Sequence, residues 1–521
     1  MNVLHCAFHV SRFAFRVSRV TFRVLNPERG ASELRTPDSE LKFMRCAIAL
    51  PLLLLTACAS SGGRWMPPEP ASPEAVWQAP QTSPALPAVP TPAVPPVLPP
   101  PDKPISLDIV LNVALKNNPR TRAAWAQANA AWADLGSRKS AYYPMLDVGG
   151  DFARSKQSTG SFSTEVLSTY GPYAALNYVL YDFGRRKADS ESAQAAFLAS
   201  GFAHNAVLAE VALEVEEAYY AYLQSLALRD AASVNVKDTQ ESLNAAQERR
   251  KAGVATVADV LQAATAASYA KLALQQAEGQ IQSLKGGLAT AMGLPANIQV
   301  TVAELPDVKD IPDVQGDLER LVKQALAERP DLLSARAQSL KAAQNFKKAD
   351  ADLWPVFTLG ATANKYYFYN MPGVNPVVNY SAVFGLDIPL FRGYDLTYKK
   401  LKAQADADAA AASSAALSNQ IILQVWTSFY DLRTARQQLD TSRDLLASAT
   451  ESEKVALERY KAGVGTILDL LSAQSALSSA RAQIVKSRAD WYVSLARLAH
   501  DTGRLDFTEA SMSDALSPKE N

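Results

Sequence analysis

The chain has 521 residues, enough for two or three ordinary domains, and 52 basic against 52 acidic side chains give a formal net charge of zero. That balance argues against a dedicated nucleic-acid binder, which carries a basic excess. All three cysteines, Cys6, Cys46 and Cys58, lie near the N-terminus, so nothing after Cys58 can form a disulfide or a thiolate metal site.

Residues 1–43 do not read as a secretory signal. Phe8-His9-Val10-Ser11-Arg12 recurs as Phe15-Arg16-Val17-Ser18-Arg19, and Phe22-Arg23-Val24 begins a third copy. A seven-residue repeat ahead of a complete signal peptide looks like translated repetitive DNA, so translation is expected to begin at Met44. Met44-Arg45 opens a charged n-region, Ala47 to Leu55 forms an apolar h-region, and Leu55-Thr56-Ala57-Cys58 resembles a bacterial lipobox. A signal over 44–57 and a lipid on the Cys58 sulfur are therefore expected, against the plainer reading of a secretory signal with a chance cysteine. Ala59 and Ser60 follow instead of an aspartate, which in the lipoprotein pattern points to the outer membrane. Removing 1–57 takes away eight basic and four acidic residues and leaves a net charge of −4. Half of the thirty prolines fall between Pro67 and Pro104. The stretch 58–104 is thus expected to be an extended, semi-rigid tether, too broken by proline to cross a membrane.

The body of the chain is duplicated. Glu248-Arg249-Arg250-Lys251-Ala252-Gly253-Val254-Ala255-Thr256-Val257-Ala258-Asp259 is matched by Glu458-Arg459-Tyr460-Lys461-Ala462-Gly463-Val464-Gly465-Thr466-Ile467-Leu468-Asp469, an offset of 210. Pro119 corresponds to Pro330, Pro144 to Pro355 and Gly293 to Gly503 in nearly the same register. Two repeats, 105–297 and 317–503, joined by a connector at 298–316 and followed by a tail at 504–521, are expected. Each is far longer than a solenoid repeat.

Within each repeat the period changes in a fixed order. Residues 106–142 read as helix, broken or kinked at Pro119. Leu146, Val148, Gly150 and Phe152 then alternate with Asp147, Gly149, Asp151 and Ala153, and after a Ser/Thr-rich loop Leu176, Tyr178 and Leu180 share one face. The second repeat offers Phe357, Leu359, Ala361 and Ala363, then Phe384, Leu386 and Ile388. Such period-2 alternation suits a membrane barrel strand, or a half-buried sheet, and Tyr366 to Tyr369 would supply an interfacial girdle. No proline occurs from Phe183 to Leu294 or from Leu390 to Ser517, which predicts helices on the order of 100 Å long. Gly253 and Gly463 mark reversals into antiparallel partners. On the second return, Ile467, Leu470, Leu471, Leu477 and Ile484 form a narrow seam that fits a single-layer wall, wet on both sides. Four strands per chain cannot close a barrel, and an open edge is forbidden in lipid, so membrane strands would require an oligomer.

This order resembles the TolC-like outer-membrane factors over 105–503. The resemblance rests on the duplicated strand–strand–long-hairpin unit, the Leu-Tyr-Asp-Phe-Gly and Leu-Phe-Arg-Gly strand exits at 180–184 and 390–393, and the two Lys-Ala-Gly-Val tips. It implies a mainly α fold with membrane β: a homotrimer whose twelve-stranded β-barrel continues as an α-helical tunnel through the periplasm. It also implies passive export of drugs, metals or proteins, driven by an inner-membrane pump and bridged by a periplasmic adaptor. Tips at Lys251, Gly253, Val254 and at Lys461, Gly463, Val464 resemble the adaptor-docking turns. Asp469 matches a pore-lining aspartate, while a second one is replaced by Ser472. Asp259 and Tyr460 match a pair that bridges neighbouring hairpins in the closed state; a basic residue that helps the bridge is replaced by Gly465, which implies a looser latch. Thr256-x-x-Asp259 and Thr466-x-x-Asp469 are also capping boxes, a purely structural account of both aspartates.

Two other readings compete. A lipid-anchored periplasmic coiled-coil scaffold or adhesin stalk explains the long helices but not two strand pairs at equivalent places. An enzyme is weaker still. His204 and His500, the histidines beyond the N-terminal region, sit in Ala-rich helical stretches without a motif, and no phosphate loop, metal spacing or triad accompanies them. No cofactor, metal or catalytic residue is expected.

Overall fold

The computed structural model describes residues 105–158, 164–298, 300–303, 305, 318–369 and 373–503. The expected start at Met44, the lipid on Cys58, the tether, most of the connector and the C-terminal tail lie outside the described residues.

Pro119 decides the first local event. Helix α1 (Leu107–Asn117) stops because the proline holds Asn118 in an extended conformation, and α2 (Pro119–Lys139) starts at once. Asn118 caps α2 by accepting the Arg120 amide at 2.9 Å, and its own amide group donates to the Ala291 carbonyl at 3.2 Å. The helix expected over 106–142 is therefore broken, not bent, and ends in a 3₁₀ turn at Ser140–Tyr142.

Strands β1 (Met145–Ser158) and β2 (Thr164–Tyr181) follow, then α3 (Arg185–Lys251) and α4 (Val257–Ala291). The second repeat supplies α5 (Leu318–Glu328), α6 (Pro330–Ala351), β3 (Val356–Phe368), β4 (Val377–Asp387), α7 (Asp395–Lys461) and α8 (Ile467–Asp501). The strands make one antiparallel sheet in the order β1-β2-β3-β4, so the two repeats join through β2 and β3. Register sorts the sheet into two faces. Leu146 lies opposite Leu176, Leu176 opposite Ala361, and Ala361 opposite Ala382; Tyr178, Leu359 and Phe384 form the next such row. The other face carries Asp147, Asn177, Gly360 and Val383, and a Thr362–Ser381 hydroxyl pair at 2.8 Å. The register also divides the expected aromatic girdle. Tyr367 stacks on Tyr170 on the apolar face at 5.3 Å, whereas Tyr366 points to the polar face, where its hydroxyl accepts from Asn364.

Helices α3 and α7 have 67 residues each, about 100 Å at 1.5 Å per residue. Both begin after two consecutive left-handed residues, Phe183-Gly184 in one repeat and Gly393-Tyr394 in the other. The first exit is pinned by Arg186. Its Nε donates to Asp182 at 2.9 Å, its Nη atoms to the carbonyls of Ala141 and Leu180 at 3.2 and 3.4 Å, and it lies over the Tyr142 ring. The second exit has an exposed Arg392–Asp387 pair at 3.3 Å and an edge contact between the Phe391 and Tyr394 rings at 5.5 Å.

The long helices form one layer. Near the sheet, α2 packs on α3, α3 on α6 and α6 on α7; toward the far end, α4 packs on α3, α3 on α8 and α8 on α7. The short helices thus stack end to end along the long ones, α4 below α2 and α8 below α6. Gly293 and Gly503 make the two joints. Both have positive φ, and a Cβ there would lie 2.7 Å from the Asn118 Cα and 2.9 Å from the Arg329 nitrogen. No side chain fits either joint.

The two largest apolar clusters among the described residues hold the layer. One gathers Val110, Leu111, Val211, Val215, Leu223, Leu288 and Met292 beside a parallel bridge between Ile105 and Val302. The other gathers Leu332, Ile421, Val425, Leu432, Leu439 and Trp491. Of the seam expected on α8, Ile467, Leu470, Leu477 and Ile484 are buried, while Leu471 is half-buried.

Candidate functional site

At the far end each repeat turns back through a glycine. Gly253 has φ 75° and Gly463 φ 78°. The Val254 amide donates to the Arg249 carbonyl at 2.9 Å and the Val464 amide to the Arg459 carbonyl at 3.1 Å, closing both helix ends in the same way. Val254 and Val464 are exposed, and Lys251 and Lys461 pair with Glu248 and Glu458 at 2.7 and 3.0 Å. The six residues expected at the tips therefore sit on two similar, exposed knobs.

Both return helices start with a complete capping box. Asp259 accepts the Thr256 amide at 2.7 Å while its own amide donates to the Thr256 hydroxyl at 3.2 Å; for Asp469 and Thr466 the distances are 3.2 and 3.1 Å. Asp469 is exposed and shares a shallow groove between α7 and α8 with Glu451, Arg459 and Ser472. Hydrogen bonds from the Thr466 side chain and amide hold its carboxyl below the usual range.

The tips of the two hairpins meet at Tyr460. Its ring is buried with Ala246, Ala263, Ile467 and Leu470, so it joins residues of α3, α4 and α8. The Arg249 guanidinium lies 4.8 Å from the ring centroid and donates to the Tyr460 carbonyl at 2.7 Å. Burial pushes the Tyr460 phenol up; Arg249 pulls it down and Asp259 adds to the rise. Asp259 and Tyr460 thus share one electrostatic neighbourhood, but the Tyr460 hydroxyl is buried without a hydrogen-bond partner among the described residues. Sequence reasoning missed Arg249, which places a cation on Tyr460 although position 465 is glycine. A Cβ at Gly465 would already lie 3.1–3.2 Å from Arg459 and Tyr460.

Away from the tips, polar contacts join α3 to α8: Ser242 accepts from Gln474 at 2.8 Å, and Asp238 pairs with Arg481 at 2.8 Å. Higher up, Tyr220 stacks on Tyr492 at 4.8 Å and Glu217 pairs with Arg497. Glu216 is buried there. Burial, with a smaller push from Glu217, raises its carboxyl to about 7. Among the described residues no His/Cys/Asp/Glu group is arranged to hold a metal ion.

The family model described as outer membrane efflux protein matches 110–294 and 321–504, one segment per repeat and most of the chain. The chain belongs to the outer membrane efflux protein family. It is 30% identical to Protein CyaE of Bordetella pertussis over 77% of this chain and 85% of that protein. It is also 24% identical to the probable efflux pump outer membrane protein TtgC of Pseudomonas putida, covering 74% and 80%. Its fold matches the outer-membrane channel OprN with a TM-score of 0.70 at 21% identity, over 76% of this chain and 89% of that one. The Vibrio cholerae outer membrane protein VceC matches with 0.68 at 20% identity, over 76% and 96%. This efflux family comprises outer-membrane channels, not enzymes, so the chain is an outer-membrane channel component of efflux or secretion machinery. The scaffold or stalk reading falls with that assignment.

Proposed function

We propose that the chain is one protomer of a homotrimer that forms the passive exit duct of a tripartite efflux or type I secretion system. The observation that carries the reading is the four-stranded sheet, apolar on one face and open at both edges, β1 and β4. An open edge is forbidden in hydrocarbon, so these strands span lipid only when copies close the ring. Three copies give a twelve-stranded barrel, and the helical layer continues it as a periplasmic tunnel. The layer's own margins favour the same closure. Trp125 and Trp132 on α2, and Tyr398 and Trp426 on α7, are all exposed, the kind of aromatic surface that subunits bury between them.

Lys251, Gly253, Val254 and Lys461, Gly463, Val464 are the surface offered to a periplasmic adaptor, which bridges to an inner-membrane pump. Asp469, once per chain at one height, forms an acidic ring that narrows the pore. Asp259 and Tyr460, with Arg249, hold neighbouring hairpins together in the closed state. Cys58 carries the lipid, after a signal at 44–57 and ahead of the tether to 104. The pump selects the cargo, whether drug, metal or protein.

Reconstitution tests the reading. Full-length protein in planar bilayers should give uniform single-channel steps, and cross-linking should trap three chains. Monomers without conductance would overturn it. Cys58→Ser should abolish labelling with radioactive palmitate, and undiminished labelling would remove the anchor from the proposal.

A further inference from the structure

The sheet sorts charge by face. Among its described strand residues, Asp147, Asp151 and Asp387 point to the polar side. Arg154, Lys156 and Lys365 fall in the register of the apolar side, where Arg154 lies opposite Ser168, Lys156 opposite Val166 and Lys365 opposite Val378. All three are exposed. Basic residues on a lipid-facing surface need a reason, because cations are costly in hydrocarbon.

Their height supplies the reason. The apolar band runs along β2 from Leu180, next to the helices, to Tyr170. That is about 33 Å of strand, or about 25 Å of height at the usual barrel tilt. Phe152, Tyr170 and Tyr367 close the band at one level, where an aromatic girdle belongs. Arg154 and Lys156 lie two and four residues beyond Phe152 on the end away from the helices, which puts their charges roughly 5–10 Å above the band. Lys365 starts inside it, but its ammonium lies 5.4 Å from the Tyr367 ring, so the side chain reaches toward the same rim.

We propose that Arg154, Lys156 and Lys365 form a cationic belt around the outer rim of the barrel that binds the phosphate groups of anionic lipid in the outer leaflet. This rests on the reading of the sheet as membrane-spanning. A continuous apolar surface brings lipid to this rim, and the belt stands at headgroup level with charge opposite to phosphate. Three copies would set nine cations around the barrel, while the acidic residues of the same strands stay on the lumen side.

The test uses full-length protein in vesicles of phosphatidylcholine, with and without lipid A, a bis-phosphorylated lipid. After mild detergent extraction, native mass spectrometry counts retained lipid A. Wild-type protein should keep it, and R154Q, K156Q and K365Q should each lower retention by about fivefold, the usual weight of one cation at an anionic surface. Asp147→Asn and Asp151→Asn, on the opposite face, should retain it as wild type does. Retention by the triple variant equal to wild type would overturn the belt. Single-channel conductance in pure phosphatidylcholine separates the two readings. The triple variant should conduct normally, and silence from wild-type protein would count against the membrane-spanning sheet itself.

Discussion

Asp469 caps a helix by structure and lines the pore by proposal. It closes a capping box with Thr466, and its side chain remains exposed in the groove beside the tip. The same hydrogen bonds lower its pKa, so the cap is intact above the ordinary aspartate pKa and is lost only as pH falls through the lower, folded value. An acidic ring built from it would keep its charge in mildly acidic medium. Asp469→Asn retains an acceptor for the cap but removes the charge. It should lower cation selectivity and weaken block by multivalent cations, with thermal stability almost unchanged, while Asp259→Asn leaves selectivity alone. Reversal potentials of single channels decide this, and wild-type selectivity in Asp469→Asn would reduce the residue to a cap. Glu216 works with the opposite sign. Its carboxyl is raised from 4.5 to about 7, so folding favours the protonated form. The stability contribution is fully present below the unfolded pKa and lost as pH rises to about 7, a difference of about 3 kcal/mol. Glu216→Gln should therefore melt higher than wild type at about pH 8, with the gap closing at about pH 4. A gap independent of pH would mean that folding does not shift the Glu216 carboxyl. The Glu216 shift was not legible beforehand: Glu210, Glu214, Glu216 and Glu217 crowd one stretch of α3, and packing alone separates the buried one from those that pair with Arg120 and Arg497.

Among the elements, the hairpin tips were the most legible because their chemistry is local. A glycine at the reversal followed by Thr-x-x-Asp specifies a left-handed turn and a capped return helix, and the chain contains that signal twice. The Arg249–Tyr460 contact was not legible, since it joins residues 211 positions apart across separate hairpins. Gly253→Val and Gly463→Val should each cost about 1–2 kcal/mol of local strain. They should weaken adaptor cross-linking while leaving barrel assembly intact; normal cross-linking in both would move the docking surface elsewhere. The seam above the tips gives a second test. Tyr460→Phe removes a hydroxyl that has no partner within the described residues and should leave the resting conductance unchanged, whereas Arg249→Ala removes the cation that ties the hairpins and should raise it. Equal conductance in the two variants would remove Arg249 from the latch.

For the molecule as a whole, what faces its margins matters most. Trp125 and Trp132 are 60% and 64% exposed on one side of α2, a large apolar surface for a protein to leave in water. Trp132→Glu should destabilise the oligomer by about 2–4 kcal/mol, the scale of an interface anchor, without altering the fold of a single chain. Size-exclusion chromatography with light scattering reads the shift from the proposed trimer to monomer; a fully assembled variant would place the interface away from α2. Duplication has a further consequence. Each chain carries two hairpins of nearly the same shape, so three chains would set six tips around the axis with pseudo-sixfold symmetry. The tips nevertheless alternate, Arg250 and Ala255 in one kind against Tyr460 and Gly465 in the other. A periplasmic ring of six identical subunits would then meet two chemically different notches in alternation. Half of its subunits would sit beside the Tyr460 seam, and that half alone would have leverage to pull it open.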